Sequence, residues 1–171
     1  GSFNPIHFGH TGLAQWVVNN TDLDEVWLMV SPNNPLKDTS ILADEQVRLI
    51  EARKAIANIQ SPIAKQIVVS DFEFHLPRPN YTANTLRELQ KQYPQHEFTL
   101  IIGEDNLNIF NKWREYQYIL ENYRIFVYPR RQSKGDVAIR LLGDRAKRII
   151  FLADAPYFDI SSTELRKNLH N

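Results

Sequence analysis

The chain has 171 residues, 43% hydrophobic and 23% charged, the proportions of a folded domain able to bury a sizeable core. Twenty basic and twenty acidic side chains cancel, so no overall field draws it to nucleic acid or an anionic membrane. The absence of cysteine excludes disulfides, thiolate nucleophiles and cysteine-ligated zinc, and no apolar run approaches the roughly 20 residues of a membrane span. No signal-peptide pattern stands in the sequence, and a cytoplasmic location is the expectation.

In chain order, a small-residue loop, Gly1-Ser2-Phe3-Asn4-Pro5-Ile6-His7-Phe8-Gly9-His10, precedes the apolar run Leu13 to Val18, which reads as a helix. Glu25 to Ser31 is a short apolar run suited to a buried strand, broken by the prolines and asparagines of 32–38. A helix is predicted from Asp44, an N-cap residue, with Val47, Ile50 and Ala55 at helical spacing. Gln66 to Ser70 is the next strand, followed by the irregular stretch Leu76 to Asn80. Thr82 is placed to cap a third helix through Thr85, Leu86 and Leu89 that ends before Pro94. Phe98 to Ile102 is a buried strand stopping at Gly103. Helical segments are predicted from Asp105 to Asn122 with a break near Asn111, then a strand from Arg124 to Tyr128 closed by Pro129. Val137 to Leu142 is apolar and ambiguous in type, Ile149 to Leu152 is a further strand, and a helix starts at Ser161.

Near-continuous apolar strands alternating with helices point to α/β architecture, a single doubly wound parallel sheet with helices on both faces. No repeat or linker divides the chain, so residues 1–171 are expected to form one domain. Ligands of such sheets bind beyond the carboxyl ends of the strands, where the loops after each predicted strand should gather.

Two stretches carry chemistry. Gly1 and Ser2 let a ligand approach the backbone closely, and His7 and His10 then stand at a helix start, where amides and the dipole favour an anion. Imidazole N–H groups can follow charge on phosphate oxygens through a transition state. A metal pair is the competing reading, since histidines at i and i+3 can share a helix face, but His75, His96 and His170 complete no zinc spacing. The second stretch is Ile160-Ser161-Ser162-Thr163-Glu164-Leu165-Arg166, where Ser161 and Glu164 have capping-box spacing. Its amides, the hydroxyls of Ser162 and Thr163, and the planar cation of Arg166 would make another anion site. An ordinary capped surface helix is the plain alternative.

The first loop resembles the signature of the HxGH nucleotidyltransferase superfamily, and I-S-S-T-x-L-R is similar to its second signature, which holds the β- and γ-phosphates of ATP. Between them Asn34-Pro35-Leu36-Lys37, Asn80-Tyr81-Thr82-Ala83-Asn84-Thr85-Leu86, Ile102-Gly103-Glu104-Asp105-Asn106-Leu107 and Trp113 look like elements of the nicotinate-mononucleotide adenylyltransferase branch. Departures are Asn4 where aspartate is common, Asn80 where serine is usual, and Leu36-Lys37 in place of Pro-His-Lys.

The resemblance implies that ATP donates its adenylyl group to the 5′-phosphate of nicotinate mononucleotide, in NAD biosynthesis, with Mg2+ carried on the substrate phosphates and no dedicated protein metal site. His7, His10 and Arg166 would be the catalytic residues. Gly1, Ser2, Phe3, Gly103, Asp105, Ser161, Ser162 and Thr163 would bind ATP. Asn34, Lys37, Tyr81, Thr82, Thr85, Trp113 and Arg130 would bind the mononucleotide. Residue chemistry supports some of these roles beside plain alternatives. Gly103 permits close approach of an adenosine or merely ends a strand. Asp105 accepts from ribose hydroxyls or caps a helix, and Trp113 stacks on a pyridine ring or packs in the core. Lys37 and Arg130 are phosphate ligands or solvated charges. A phosphopantetheine adenylyltransferase of the same fold and a nucleotide-sensing module without turnover are the competing functions. The family's loop usually follows a strand and its chain usually continues past the second signature, so residues before Gly1 and after Asn171 are expected in the natural protein.

Overall fold

In the computed structural model the described residues are 1–32, 44–130 and 135–157. Helix α1 (Phe8–Asn20) starts at His7, whose extended backbone leaves the helical path one residue earlier. It buries Gly9, Ala14 and Val17 and packs against strand β1 (Val26–Met29) and strand β2 (Ile67–Ser70). β1 and β2 pair in parallel, with Val26 opposite Ile67 and Met29 opposite Ser70. Gly1 extends the same ladder on β1: its N donates to Met29 O at 2.6 Å, and Ser31 N donates to Gly1 O at 2.8 Å.

Helix α2 (Glu45–Ala57) is capped as its sequence requires, Asp44 Oδ1 accepting from Gln46 N at 2.9 Å and Val47 N at 3.3 Å. The face it buries is not that of Val47 and Ile50. Val47 and Ile50 are 46% and 48% exposed, while Arg48, Leu49, Ala52 and Ile56 are buried. The helix turns Leu49 and Ala52 onto Val30, and Phe3, Ile6, Val69 and Phe74 close over them.

Helix α3 (Thr82–Gln92) starts one residue earlier than expected, with Tyr81 as N-cap, so Thr82 is the first helical residue and caps nothing. Its amphipathic pattern buries Ala83, Thr85, Leu86 and Leu89. Strands β3 (Thr99–Gly103), β4 (Arg124–Tyr128) and β5 (Ile149–Phe151) form a parallel sheet in the order β3-β4-β5. The predicted helical stretch after β3 is three pieces: α4 (Glu104–Leu107), a 3-10 turn at Phe110–Lys112 that contains Asn111, and α5 (Tyr116–Asn122). The ambiguous apolar run near 137–142 lies in helix α6 (Gly135–Leu142). Leu107, Phe110, Ile119, Ile125 and Val127 form the centre of this core.

Among the described residues every strand pair is parallel and the helices alternate with strands, as the apolar runs predicted. The described strands make two ladders, one in each of two compact units, Gly1–Asn80 and Tyr81–Tyr157. No described helix is long and apolar enough to cross a membrane.

The face of α2 is directly testable by urea unfolding. Leu49→Ala should cost about 2–5 kcal/mol, whereas Ile50→Lys should stay within about 0.5 kcal/mol of the parent. Equal losses would contradict the assigned face.

Candidate functional site

The first loop is built backwards from its histidines. His7 Nδ1 accepts from Gly9 N at 3.0 Å, and His10 Nδ1 accepts from His7 N at 3.1 Å, a reciprocal capping box made of two imidazoles. The rings stack with centroids 3.8 Å apart and 28° between planes, and Phe3 meets His10 edge-on at 4.9 Å. Because both Nδ1 atoms accept backbone N–H bonds, the proton of each neutral ring sits on Nε2. The cap therefore selects one tautomer, with Nε2–H as the donor each ring offers.

Phe3 adopts φ 48°, a left-handed conformation that a non-glycine residue holds only where its surroundings fix it. Ser2 and Asn4 on either side are buried. Arg48, 1% exposed, donates through Nη1 to Ser2 O and Ser31 O at 2.7 Å each, and through Nη2 to Pro32 O at 2.9 Å. Burial lowers its pKa, and the nearby Glu45 and Asp44 carboxylates work against that. Ser31 Oγ in turn donates to Glu73 Oε1 at 2.6 Å, and Asn80 Nδ2 donates to Glu73 O at 3.2 Å. Sequence reasoning missed Arg48 and Glu73: a lone charge in a polar helix or turn carries no mark of being buried.

The second unit gathers Gly103, Glu104, Asp105, Tyr128 and Arg130 at the carboxyl ends of β3 and β4. Gly103 faces Tyr128 in the ladder, and a Cβ there would lie 2.5 Å from Asp105 Oδ1 and 3.0 Å from Tyr128 Cζ. Only a residue without a side chain leaves that space as it stands. Arg130 N donates to Glu104 Oε1 at 3.1 Å, and Arg130 Nε lies 3.9 Å from Asp105 Oδ1. Arg130 is thus brought beside Asp105, the residue read as a ribose acceptor, and Glu104 is an unforeseen tie between the two loops. Burial pushes the Tyr128 phenol up, with Arg130 pulling it down and Asp105 adding to the rise.

At the start of α3, no side chain caps the helix, so the amides of its first turn have no partner within the helix itself. Thr85 is buried and its Oγ1 donates to Tyr81 O at 3.2 Å, while Arg114 lies over the Tyr81 ring at 5.0 Å. Trp113 is half-buried against Phe110, centroids 5.1 Å apart, and its Nε1 is buried without a hydrogen-bond partner. Asn34, Lys37, Ser161, Ser162, Thr163 and Arg166 lie outside the described residues. Among the described residues no three His, Asp or Glu side chains cluster as metal ligands. A hollow of about 330 Å³ lined by Glu97, Phe98, Arg124, Lys147 and Arg148 lies at the amino ends of β3, β4 and β5, the opposite ends of these strands from Gly103 and Arg130.

Comparison with known proteins shows the family. The cytidylyltransferase-like family profile matches residues 1–168. A probable nicotinate-nucleotide adenylyltransferase of Flavobacterium psychrophilum is 44% identical over 171 residues, covering 100% of this chain and 84% of the relative. One from Bacteroides fragilis is 43% identical over 169 residues, covering 99% of this chain and 79% of the relative. Among solved structures, a Plasmodium falciparum nicotinic acid mononucleotide adenylyltransferase complexed with NaAD has a TM-score of 0.80 at 20% identity, over 98% of this chain and 80% of that one.

The tautomer assignment has its own test. Two-bond proton–nitrogen correlation spectra of the 15N-labelled protein, at a pH of about 8.5 where free imidazole is neutral, should show Nε2–H in both His7 and His10. An Nδ1–H signal for either ring would contradict the cap.

Proposed function

The chain belongs to the cytidylyltransferase-like family, and on that premise we propose that it is a nicotinate-nucleotide adenylyltransferase. An oxygen of the 5′-phosphate of nicotinate mononucleotide attacks the α-phosphorus of ATP. The new P–O bond forms as the bond to the α–β bridging oxygen breaks, giving deamido-NAD and pyrophosphate. No protein nucleophile takes part, so the work is positioning and charge stabilisation. The observation that carries this reading is the two-histidine capping box, which holds two Nε2–H donors at a helix start.

In this mechanism His7 and His10 donate to the phosphate oxygens on which charge grows. Gly1, Ser2 and Phe3 line the loop that receives the α-phosphate. Ser161, Ser162, Thr163 and Arg166 hold the departing pyrophosphate. The bare edge at Gly103 receives the adenosine, with Asp105 accepting from its ribose. The pyridine carboxylate meets the first-turn amides of α3 with Tyr81, Thr82 and Thr85, and Trp113 offers its ring face. Asn34, Lys37 and Arg130 take the mononucleotide phosphate; for Arg130, its seat beside Asp105 also allows it to serve the nucleotide side. Mg2+ would be carried on the triphosphate as part of the substrate, because Mg2+ usually keeps several waters and binds through substrate phosphates. A cytoplasmic location fits a cysteine-free chain that acts on ATP.

Pyrophosphate release from ATP should appear with nicotinate mononucleotide when that substrate is compared with nicotinamide mononucleotide and phosphopantetheine. Release with phosphopantetheine alone would overturn the substrate, and release with none would favour a sensor. His10→Gln tests the chemistry more finely, because glutamine at that position of a capping box can still accept from the His7 amide. Its kcat should fall by about 100- to 1000-fold with little change in melting temperature. Retained turnover would remove His10 from the mechanism. Gly103→Ala should raise KM for ATP while leaving KM for the mononucleotide near that of the parent, read in the same assay.

A further inference from the structure

Arg48 is the largest buried charge among the described residues, and nothing in the assigned chemistry uses it. Burying a guanidinium is costly, and the cost is offset only by dense hydrogen bonding. Here the bonds go to backbone: both hydrogens of Nη1 serve Ser2 O and Ser31 O, and Nη2 serves Pro32 O. Three carbonyls from two separate non-helical segments are thereby gathered on one planar cation anchored in α2.

The Ser2–Phe3 peptide is trans, so its C=O and N–H point in opposite directions. With Ser2 O held at 2.7 Å from Arg48, the Phe3 amide is turned away from the guanidinium. The left-handed Phe3 that follows, φ 48°, needs an external restraint of this kind. We propose that Arg48 is a positioning residue for adenylyl transfer, fixing the Ser2–Phe3 peptide so that the Phe3 amide is presented to a phosphate oxygen of ATP. This rests on the adenylyl-transfer reading. A guanidinium stays charged under all working conditions, so it also leaves a permanent positive charge behind the loop. Lysine carries the same charge but lacks the planar fork that spans these carbonyls.

The test compares steady-state kinetics of the parent, Arg48→Lys and Leu49→Ala, each below its melting transition. Leu49 neighbours Arg48 in sequence and is buried with Val30 and Ala52 in the cluster that Phe3 also packs on, so its truncation loosens the packing around the loop while leaving the guanidinium and its carbonyls in place. Arg48→Lys should lose about 10- to 100-fold in kcat, with KM for nicotinate mononucleotide within about twofold of the parent. Leu49→Ala should lose stability yet keep kcat within about twofold. A parent-like kcat in Arg48→Lys, equal kcat losses in both variants, or a loss confined to KM for the mononucleotide would each overturn the proposal. Should Arg48→Lys fail to fold, the Arg48 guanidinium 15N resonances of the parent decide: a shift on adding ATP supports the proposal, and unmoved resonances overturn it. An inactive parent would count against the adenylyl-transfer reading, and the same resonances would still decide for Arg48.

Discussion

The first unit depends on one buried cation holding three carbonyls. Arg48 donates to the oxygens of Ser2, Ser31 and Pro32, and its removal would take one charged donor from all three. Each hydrogen bond to a charged group contributes about 1.5–3 kcal/mol, and a buried polar atom stripped of its partner costs about 1–3 kcal/mol. Ser31 concentrates the consequence. Its N–H reaches Gly1, its carbonyl reaches Arg48 and its hydroxyl reaches Glu73, so the ends of β1 and β2 and the first loop share a single seam. Asn80 continues that seam through the Glu73 carbonyl.

In the second unit the governing constraint is space rather than charge. The ladder puts Gly103 opposite Tyr128, and the missing side chain leaves room that any Cβ would fill. Glu104 then binds the Arg130 amide, which fixes the loop after β4 to the helix after β3. A parallel sheet delivers all its strand ends to one edge, so such cross-links need only one side chain reaching to the next loop.

The sequence showed clearly where strands lie, because each is a short apolar run bounded by polar or proline-rich residues. It also showed the place of His7 and His10 at a helix start, the strand end at Gly103, and the place of Arg130 on a strand-end loop. It did not show which side of α2 faces inward. Val47 and Ile50 stand at helical spacing, but so do Leu49, Ala52 and Ile56, and the helix is turned to bring Arg48 to its carbonyls and Leu49 and Ala52 to Val30. Hydrophobic spacing ranks faces by transfer free energy. It has no means of representing a backbone that needs a donor at one fixed point. The N-cap of α3 escaped for a related reason: Thr82 has the better capping side chain, but the helix begins at Tyr81 with its first-turn amides uncapped by any side chain.

That contrast between the two helix starts says something about what the chain does with its amides. At α1 His7 Nδ1 takes the first-turn amide of Gly9, His10 Nδ1 takes the amide of His7 itself, and the donor function of each neutral ring falls to Nε2. A serine or aspartate cap would hold the helix as well but would present an acceptor, which repels an anion. Imidazole is the side chain that can accept at one atom and donate at another while remaining neutral, so the same two residues can cap the helix and still offer a donor to an anion. At α3 no such exchange is made, and the amides themselves remain the donors at that helix start. A capped start suits a group whose charge changes during reaction, since a polarisable, titratable ring can follow it. An uncapped start suits a carboxylate that keeps its charge throughout.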